Sequence, residues 1–162
     1  MGEPSAERRL AGFMDRYRPE VARVARAARA KLRRLVPGAV ELVYDNYNAL
    51  AIGFGPTERA SDAIFSIALY PRWVSLFFLH GAPLPDPRGL LRGSGRRVRH
   101  IVLDRASRLD TGPVRALIEA AVAAHPTKIE GGQRRRAVIK SVSPRQRPRR
   151  PAGERRRVAR PR

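Results

Sequence analysis

The stretch AVELVYDNYNALAIGFG (residues 39–55) decides the fold of this chain. Its two ends are rich in β-branched, aromatic and small apolar residues, which favour strands. In the second run, Leu50, Ile52 and Phe54 point one way and the intervening small residues point the other. Only Asn46–Asn48 separates the two runs, and a link this short joins antiparallel neighbours. The stretch therefore predicts a β-hairpin.

Three later segments have the same character: AIFSIALY (63–70), WVSLFFLHG (73–81) and RHIVLD (99–104). The links before the first two are short, which again favours antiparallel pairing. Only the link from Gly81 to Arg99 is long. The chain is thus expected to form about five mainly antiparallel strands in one sheet.

Helical spacing of apolar residues appears on both sides of these strands. It predicts an amphipathic helix over residues 6–17, a second helix from Pro19 to Pro37-Gly38, and a closing helix from Asp110 or Thr111 to His125. The predicted class is α+β, with two N-terminal helices, the sheet and a closing C-terminal helix on one side.

The density of basic residues rises sharply after residue 125. Of its 34 Lys and Arg residues, 14 lie in residues 126–162, against only two acids, and the total charge is +20. This segment has five prolines and no aromatic residue. Such a composition predicts a disordered basic tail (126–162) after an α+β domain (1–125).

Composition also excludes several chemistries. The chain has no cysteine, which removes disulfides, thiol catalysis and cysteine metal sites. No apolar run approaches the roughly 20 residues of a membrane span, and no signal-like segment opens the chain. We expect a cytoplasmic protein without a membrane span.

The tail could follow the phosphates of a nucleic acid. The candidate contacts are its clustered arginines: Arg134, Arg135, Arg136, Arg145, Arg147, Arg149, Arg150, Arg155, Arg156 and Arg157. No aromatic residue interleaves them, which argues against base stacking by the tail. A solubilising tail, or one enriched in arginine by composition alone, is the alternative.

The loop DPRGLLRGSGRRVRH (86–100) resembles a phosphate grip, but it leads into a strand rather than a helix and lacks the lysine of a nucleotide loop. Its glycines are expected to supply positive φ before the strand. An ordinary loop is the favoured interpretation, and a weak anion pocket is the alternative.

Aromatic and polar residues near YDNYN could line a cleft for a small ligand. The candidate ligand-binding residues are Tyr44, Asp45, Asn46, Tyr47, Trp73, His80, Arg97 and Arg99. A hairpin turn with packed tyrosines is the favoured interpretation, and the cleft is the alternative. The three histidines lack metal-ligand spacing, and no catalytic constellation appears. The sequence therefore predicts no enzyme activity, no metal and no cofactor.

Three segments carry a resemblance to a known family: Pro37-Gly38-Ala39-Val40-Glu41, YDNYNALAIGFG (44–55) and residues 66–103 with the pattern DP-x-GLL-x-GSG-x-x-x-R-x-I. They resemble the YdhG-like family, also called domain of unknown function 1801, over roughly residues 8–124. The resemblance implies a small cytoplasmic α+β domain without an assigned activity.

One relative in that family is similar to frataxin and is described as an iron chaperone that uses acidic surfaces. Here Glu3, Glu7, Asp15 and Glu20 lie among seven arginines between Arg8 and Arg29. Because guanidinium groups repel cations, this pattern disfavours iron.

Three functions follow in order of preference. The first is a non-enzymatic module that binds a small ligand or a protein. The second is a nucleic-acid-associated protein without sequence preference, driven by the tail. The third is a frataxin-like iron carrier.

Overall fold

The computed structural model describes residues 2–152. Its elements, in chain order, are α1 (Ala6–Asp15), α2 (Pro19–Leu35), β1 (Val40–Asp45), β2 (Leu50–Gly55), β3 (Phe65–Leu69), β4 (Val74–Phe78), β5 (Arg99–Leu103), α3 (Gly112–Ala124) and β6 (Ala137–Val142). The predicted α+β class is confirmed. The described part has six strands rather than about five.

All six strands belong to one sheet with the order β5-β4-β3-β2-β1-β6. The first five form an antiparallel meander, as the short links predict. Val43 lies opposite Ile52, and Ile52 lies opposite Ile67. Because directly paired residues share a face, these fully buried side chains form one apolar face of the sheet.

The helices cover that face. Pro19 occupies the first turn of α2, where its missing N–H costs nothing. From there Val21, Ala25, Ala28 and Leu32 form a buried stripe at helical spacing. They join Val114, Leu117 and Ile118 of α3 and the apolar face of the sheet in a single hydrophobic core. No helix within residues 2–152 is long and apolar enough to cross a membrane.

The prediction of a disordered tail was wrong for residues 137–142. They form β6, which pairs in parallel with β1, with Val138 opposite Leu42 and Ile139 opposite Val43. Without β6 the edge of β1 would leave its backbone N–H and C=O groups unpaired. The β-branched residues of AVIKSV suit a strand, but the surrounding charge obscured this signal. Residues 153–162 lie outside the described part.

The sheet has two ends, which matter for every candidate site. The β1–β2 and β3–β4 turns lie at one end, here called the hairpin end. The segments before β3 and after β4 lie at the other, here called the far end. β4 has five residues, and at about 3.3 Å per residue this separates the two ends by roughly 17 Å.

Candidate functional site

The C-terminal strap, residues 143–152, lies across the hairpin end. The backbone N–H of Ser143 donates to the carbonyl oxygen of Asp45 at 2.8 Å, and that of Arg147 donates to the carbonyl oxygen of Tyr47 at 2.8 Å. Gln146 adds a side-chain bond to the Asp45 carbonyl at 3.0 Å. The strap therefore continues the pairing of β6 with β1 past the end of the strand.

A buried ion pair anchors the strap. The Nη2 atom of Arg149 lies 2.8 Å from Oδ1 of Asp45, and both side chains are about 2% exposed or less. The same Nη2 donates to the carbonyl oxygen of Asn46 at 2.5 Å. Arg16 lies 3.5 Å from the other carboxylate oxygen. An arginine predicted to lie in a disordered tail is thus part of the protein interior.

The ion pair also contacts the core tyrosine that follows α1. The Arg149 guanidinium lies over the Tyr17 ring, 5.6 Å from its centroid, and the Tyr17 hydroxyl accepts the Leu50 backbone N–H at 3.0 Å. Burial raises the pKa of Tyr17 to about 12. Tyr17 therefore remains neutral at physiological pH beside the paired charges.

Between the strap and the β3–β4 turn lies a groove of about 640 Å³, here called the basic groove. Its lining residues are Asn48, Tyr70, Pro71, Arg72, Trp73, Arg147, Pro148, Arg150, Pro151 and Ala152. They supply three guanidinium groups and no carboxylate. The groove is therefore positively charged, and its charge is not neutralised by its own walls.

An aromatic pair forms one wall of the basic groove. The Tyr70 and Trp73 rings stack 4.7 Å apart with 19° between their planes. The Tyr70 backbone N–H donates to the Trp73 carbonyl oxygen at 2.9 Å, which closes the β3–β4 turn between them. Trp73 remains 44% exposed. Since Tyr70 covers one face of the indole, its outer face is open to a planar ligand.

The structure does not bring all the predicted ligand-binding residues together. Tyr47 and Trp73 are exposed at the hairpin end, whereas His80, Arg97 and Arg99 lie at the far end. Tyr44 lies on the sheet face opposite to Asp45, since adjacent strand residues alternate. The prediction of a single cleft lined by Tyr44, Tyr47, Trp73 and His80 is therefore wrong.

Three of the remaining candidates are accounted for by their local surroundings. Asn46 bonds Ala49 across the β1–β2 turn at 3.0 Å, as a hairpin requires. Burial raises the pKa of Tyr44, and its hydroxyl is buried without a hydrogen-bond partner in residues 2–152. The Arg99 guanidinium donates to the carbonyl oxygens of Gly95 and Val98, which fixes it against its own loop.

The loop 86–100 has the structure expected of an ordinary connection. Gly89 and Gly93 have φ of +61° and +117°, so they supply the predicted positive φ, whereas Gly95 does not. The Asp86 carboxylate accepts the backbone N–H groups of Leu90 and Leu91, both at 2.9 Å. The Asp86 carboxylate and the Arg99 guanidinium are therefore both engaged within the loop.

The predicted nucleic-acid contacts fall in different places. Arg134, Arg135 and Arg136 precede β6, and Arg136 pairs with Glu58 at 2.9 Å. Arg145 and Arg147 are exposed on the strap, Arg150 is half-buried, and Arg149 is buried. Arg155, Arg156 and Arg157 lie outside the described residues. The basic segment thus presents its arginines from a folded surface as far as residue 152.

A second cavity, at the far end, was not anticipated. It encloses about 390 Å³ and is here called the histidine pocket, lined by Ser61, Asp62, Ile64, His80, Pro83, Ala121, Ala124, His125 and Pro126. The His80 and His125 rings lie 6.0 Å apart. The two histidines are 45 positions apart in sequence, so no local pattern could have paired them.

Two of the acidic residues weighed against iron binding are engaged with arginines: Glu7 with Arg29 and Arg33, and Asp15 with Arg26. Across the described part of the chain, no three His, Asp or Glu side chains are close enough together to hold a metal ion.

Comparison with known proteins found no match to a family model, to a curated protein or to a solved structure. The resemblance to the YdhG-like family stays a prediction. Function is therefore argued from the basic groove and the histidine pocket.

Proposed function

We propose that this protein is a non-enzymatic module that binds single-stranded nucleic acid in the basic groove. One observation carries the proposal: the buried Asp45–Arg149 pair holds the strap so that Arg147 and Arg150 face Arg72 beside the exposed Trp73. This modifies the hypothesis of a tail-driven binder, because a docked segment, rather than a free tail, presents the charge.

The ligand class follows from the groove chemistry. Guanidinium groups pair with phosphate oxygens through forked hydrogen bonds. An exposed indole can stack on a base, but only if that base is unpaired. Nothing in the groove lining offers a carboxylate to accept from base amino groups, so stacking and charge would dominate and sequence preference would be weak. This combination favours a single strand over a duplex.

The chain carries one tryptophan, which makes the proposal directly measurable. Oligo-dT of 12 nucleotides should quench the emission of Trp73 on binding, while a 12-base-pair duplex should quench it much less. Three phosphate contacts predict a slope of about −2 for log affinity against log salt concentration. Anisotropy of labelled oligonucleotide gives the affinity for variants that lack tryptophan.

Trp73→Ala is expected to weaken oligo-dT binding by about tenfold, because a stacked base contributes about 1–3 kcal/mol, and Trp73→Phe should retain most of it. The double variant Arg72→Gln/Arg150→Gln should also lose about tenfold and should flatten the salt dependence. The charge-matched control is Arg88→Gln/Arg96→Gln, at exposed positions in the loop between β4 and β5 at the far end. Equal losses in both double variants, or loss only on deleting residues 153–162, would exclude the groove.

The histidine pocket favours a second function, the binding of a small ligand. Its walls are mainly apolar, with two imidazoles, the Asp62 carboxylate and the Ser61 hydroxyl as the polar groups, which is the usual make-up of a small-molecule site. His125 is 6% exposed, and its Nδ1 lies 2.9 Å from the Thr127 carbonyl oxygen. The ring is therefore held in place at the pocket wall.

Phenol is a suitable probe of this pocket, since its ring matches the walls and its hydroxyl can reach a polar group. We expect phenol to shift the imidazole NMR signals of His80 and His125 and not those of His100, which packs against Phe77. Ala124→Phe should fill the pocket and abolish the shifts, while Ala123→Phe, at an exposed position outside the pocket lining, should preserve them. Shifts of all three histidines alike would count against a site.

A further inference from the structure

A second positively charged hollow lies on the helix layer, away from the basic groove. It encloses about 320 Å³, and we call it the arginine hollow. Its lining residues are Met14, Arg26, Arg29, Ala30, Arg33, Arg34 and Arg135. Five of the seven are arginines, four from α2 and one from the segment before β6, and none is acidic.

Two of these arginines are held in position by hydrogen bonds to carboxylates. Arg29 donates Nε and Nη2 to the two oxygens of Glu41 at 2.8 and 2.9 Å. Arg33 donates Nη2 to the same carboxylate at 2.7 Å. Glu7 accepts from both arginines, and the hydrogen bond from Arg29 is the main cause of its lowered pKa. The guanidinium groups are thus held in position before any ligand arrives, which reduces the entropy lost on binding.

The charges of the hollow do not cancel. Glu7 and Glu41 balance Arg29 and Arg33, and Asp15 pairs with Arg26. Arg34 and Arg135 have no ion-pair or hydrogen-bond partner within residues 2–152. The Nη1 atom of Arg33 likewise makes no hydrogen bond in that part of the chain. Arg34 interacts electrostatically with Asp110, but that carboxylate is already paired with Lys31. Two guanidinium groups without an ion pair therefore share a partly enclosed space with Arg33, which has an unused Nη1 donor.

We propose that the arginine hollow binds a phosphate-dense anion, such as an inorganic triphosphate or the polyphosphate group of a larger ligand. The guanidinium groups of Arg34 and Arg135 and the unused Nη1 of Arg33 suit a compact anion with many oxygens, because a guanidinium fork can bond two oxygens of one phosphate group. A single carboxylate would leave most of these donors unused. The site is separate from the basic groove and does not rest on the function proposed for it.

The experiment is calorimetric titration of the full chain with sodium triphosphate at fixed ionic strength and without divalent cations. We expect one site per chain. Arg34→Gln and Arg135→Gln should each weaken binding by about tenfold, since each removes a charge-assisted hydrogen bond. Arg34→Lys should fall between the wild type and Arg34→Gln, because lysine keeps the charge and loses the fork. These positions are exposed, so the fold should tolerate the changes.

Two double variants complete the test. Arg88→Gln/Arg96→Gln removes the same charge at exposed positions in the loop between β4 and β5 and should leave triphosphate binding within about twofold. Arg72→Gln/Arg150→Gln, in the basic groove, should also retain it. Absence of measurable binding, or an equal loss in the Arg88/Arg96 control, would overturn the proposal. Loss in the groove variant alone would place the triphosphate in the basic groove and would likewise overturn it, whereas failure of oligo-dT to bind would leave it intact.

Discussion

Replacing Asp45 by asparagine is expected to lower the free energy of unfolding by about 3–5 kcal/mol. The substitution keeps the shape of the side chain but leaves the Arg149 charge buried, with side chains that are only 1% and 2% exposed, and without its counter-ion. Urea denaturation followed by circular dichroism measures the change. A loss on this scale would show that the strap is an integral part of the fold rather than an appendage.

A double variant that replaces both charges distinguishes the contribution of the ion pair from the cost of burying an unpaired charge. Oδ2 of Asp45 and Nε of Arg149 are buried without hydrogen-bond partners among residues 2–152, so the pair is incompletely satisfied. Asp45→Leu/Arg149→Met should therefore recover most of the stability, since apolar replacement of a buried pair is often neutral or better. The exposed Arg136–Glu58 pair is the control, and Glu58→Gln should cost at most about 1 kcal/mol. If Asp45→Asn lowered the unfolding free energy by less than this, the Arg149 side chain would have to reach solvent in the variant.

Glu41→Gln is the second substitution expected to cost about 3–5 kcal/mol. Glu41 is 1% exposed and accepts from both Arg29 and Arg33, and Arg29 is itself 9% exposed. Removing this charge leaves two guanidinium groups to the single carboxylate of Glu7. Denaturation at neutral pH gives the change, and triphosphate titration of the same variant shows whether the hollow loses its geometry.

Glu7→Gln is the control for that network, because Glu7 accepts from the same arginines with a side chain that is 53% exposed. Its effect should be about 1 kcal/mol or less. Because hydrogen bonding to Arg29 lowers its pKa below 4.5, its stabilising contribution is present above pH 4.5 and is lost as the pH falls through the folded-state pKa. Glu7→Gln should therefore reduce the loss of unfolding free energy as the pH falls below 4.5. Equal losses for Glu41→Gln and Glu7→Gln would contradict the assigned burial.

Local patterns predicted the framework of this protein. The alternation of apolar and small residues over 49–55, and the three-residue link before it, predicted the β1–β2 hairpin. The short link at Pro71-Arg72 predicted the antiparallel pairing of β3 with β4. Apolar spacing from Val21 to Leu32 predicted the buried stripe of α2. These elements depend on residues that are neighbours in sequence, so period and turn chemistry are enough to identify them.

The candidate sites depend on contacts that no local pattern contains. Asp45 and Arg149 are 104 positions apart, and each is a charged residue that a composition-based argument places in water. Likewise, β6 is stabilised only by the open edge of β1, and His80 meets His125 only because α3 ends beside the far end of the sheet. The sequence alone identified the helices and the five strands of the meander, because these depend on backbone preference and on the spacing of apolar side chains. Tertiary structure alone decided which charges are buried and which converge, because the energy of a charge depends on the partners and solvent that the fold places around it.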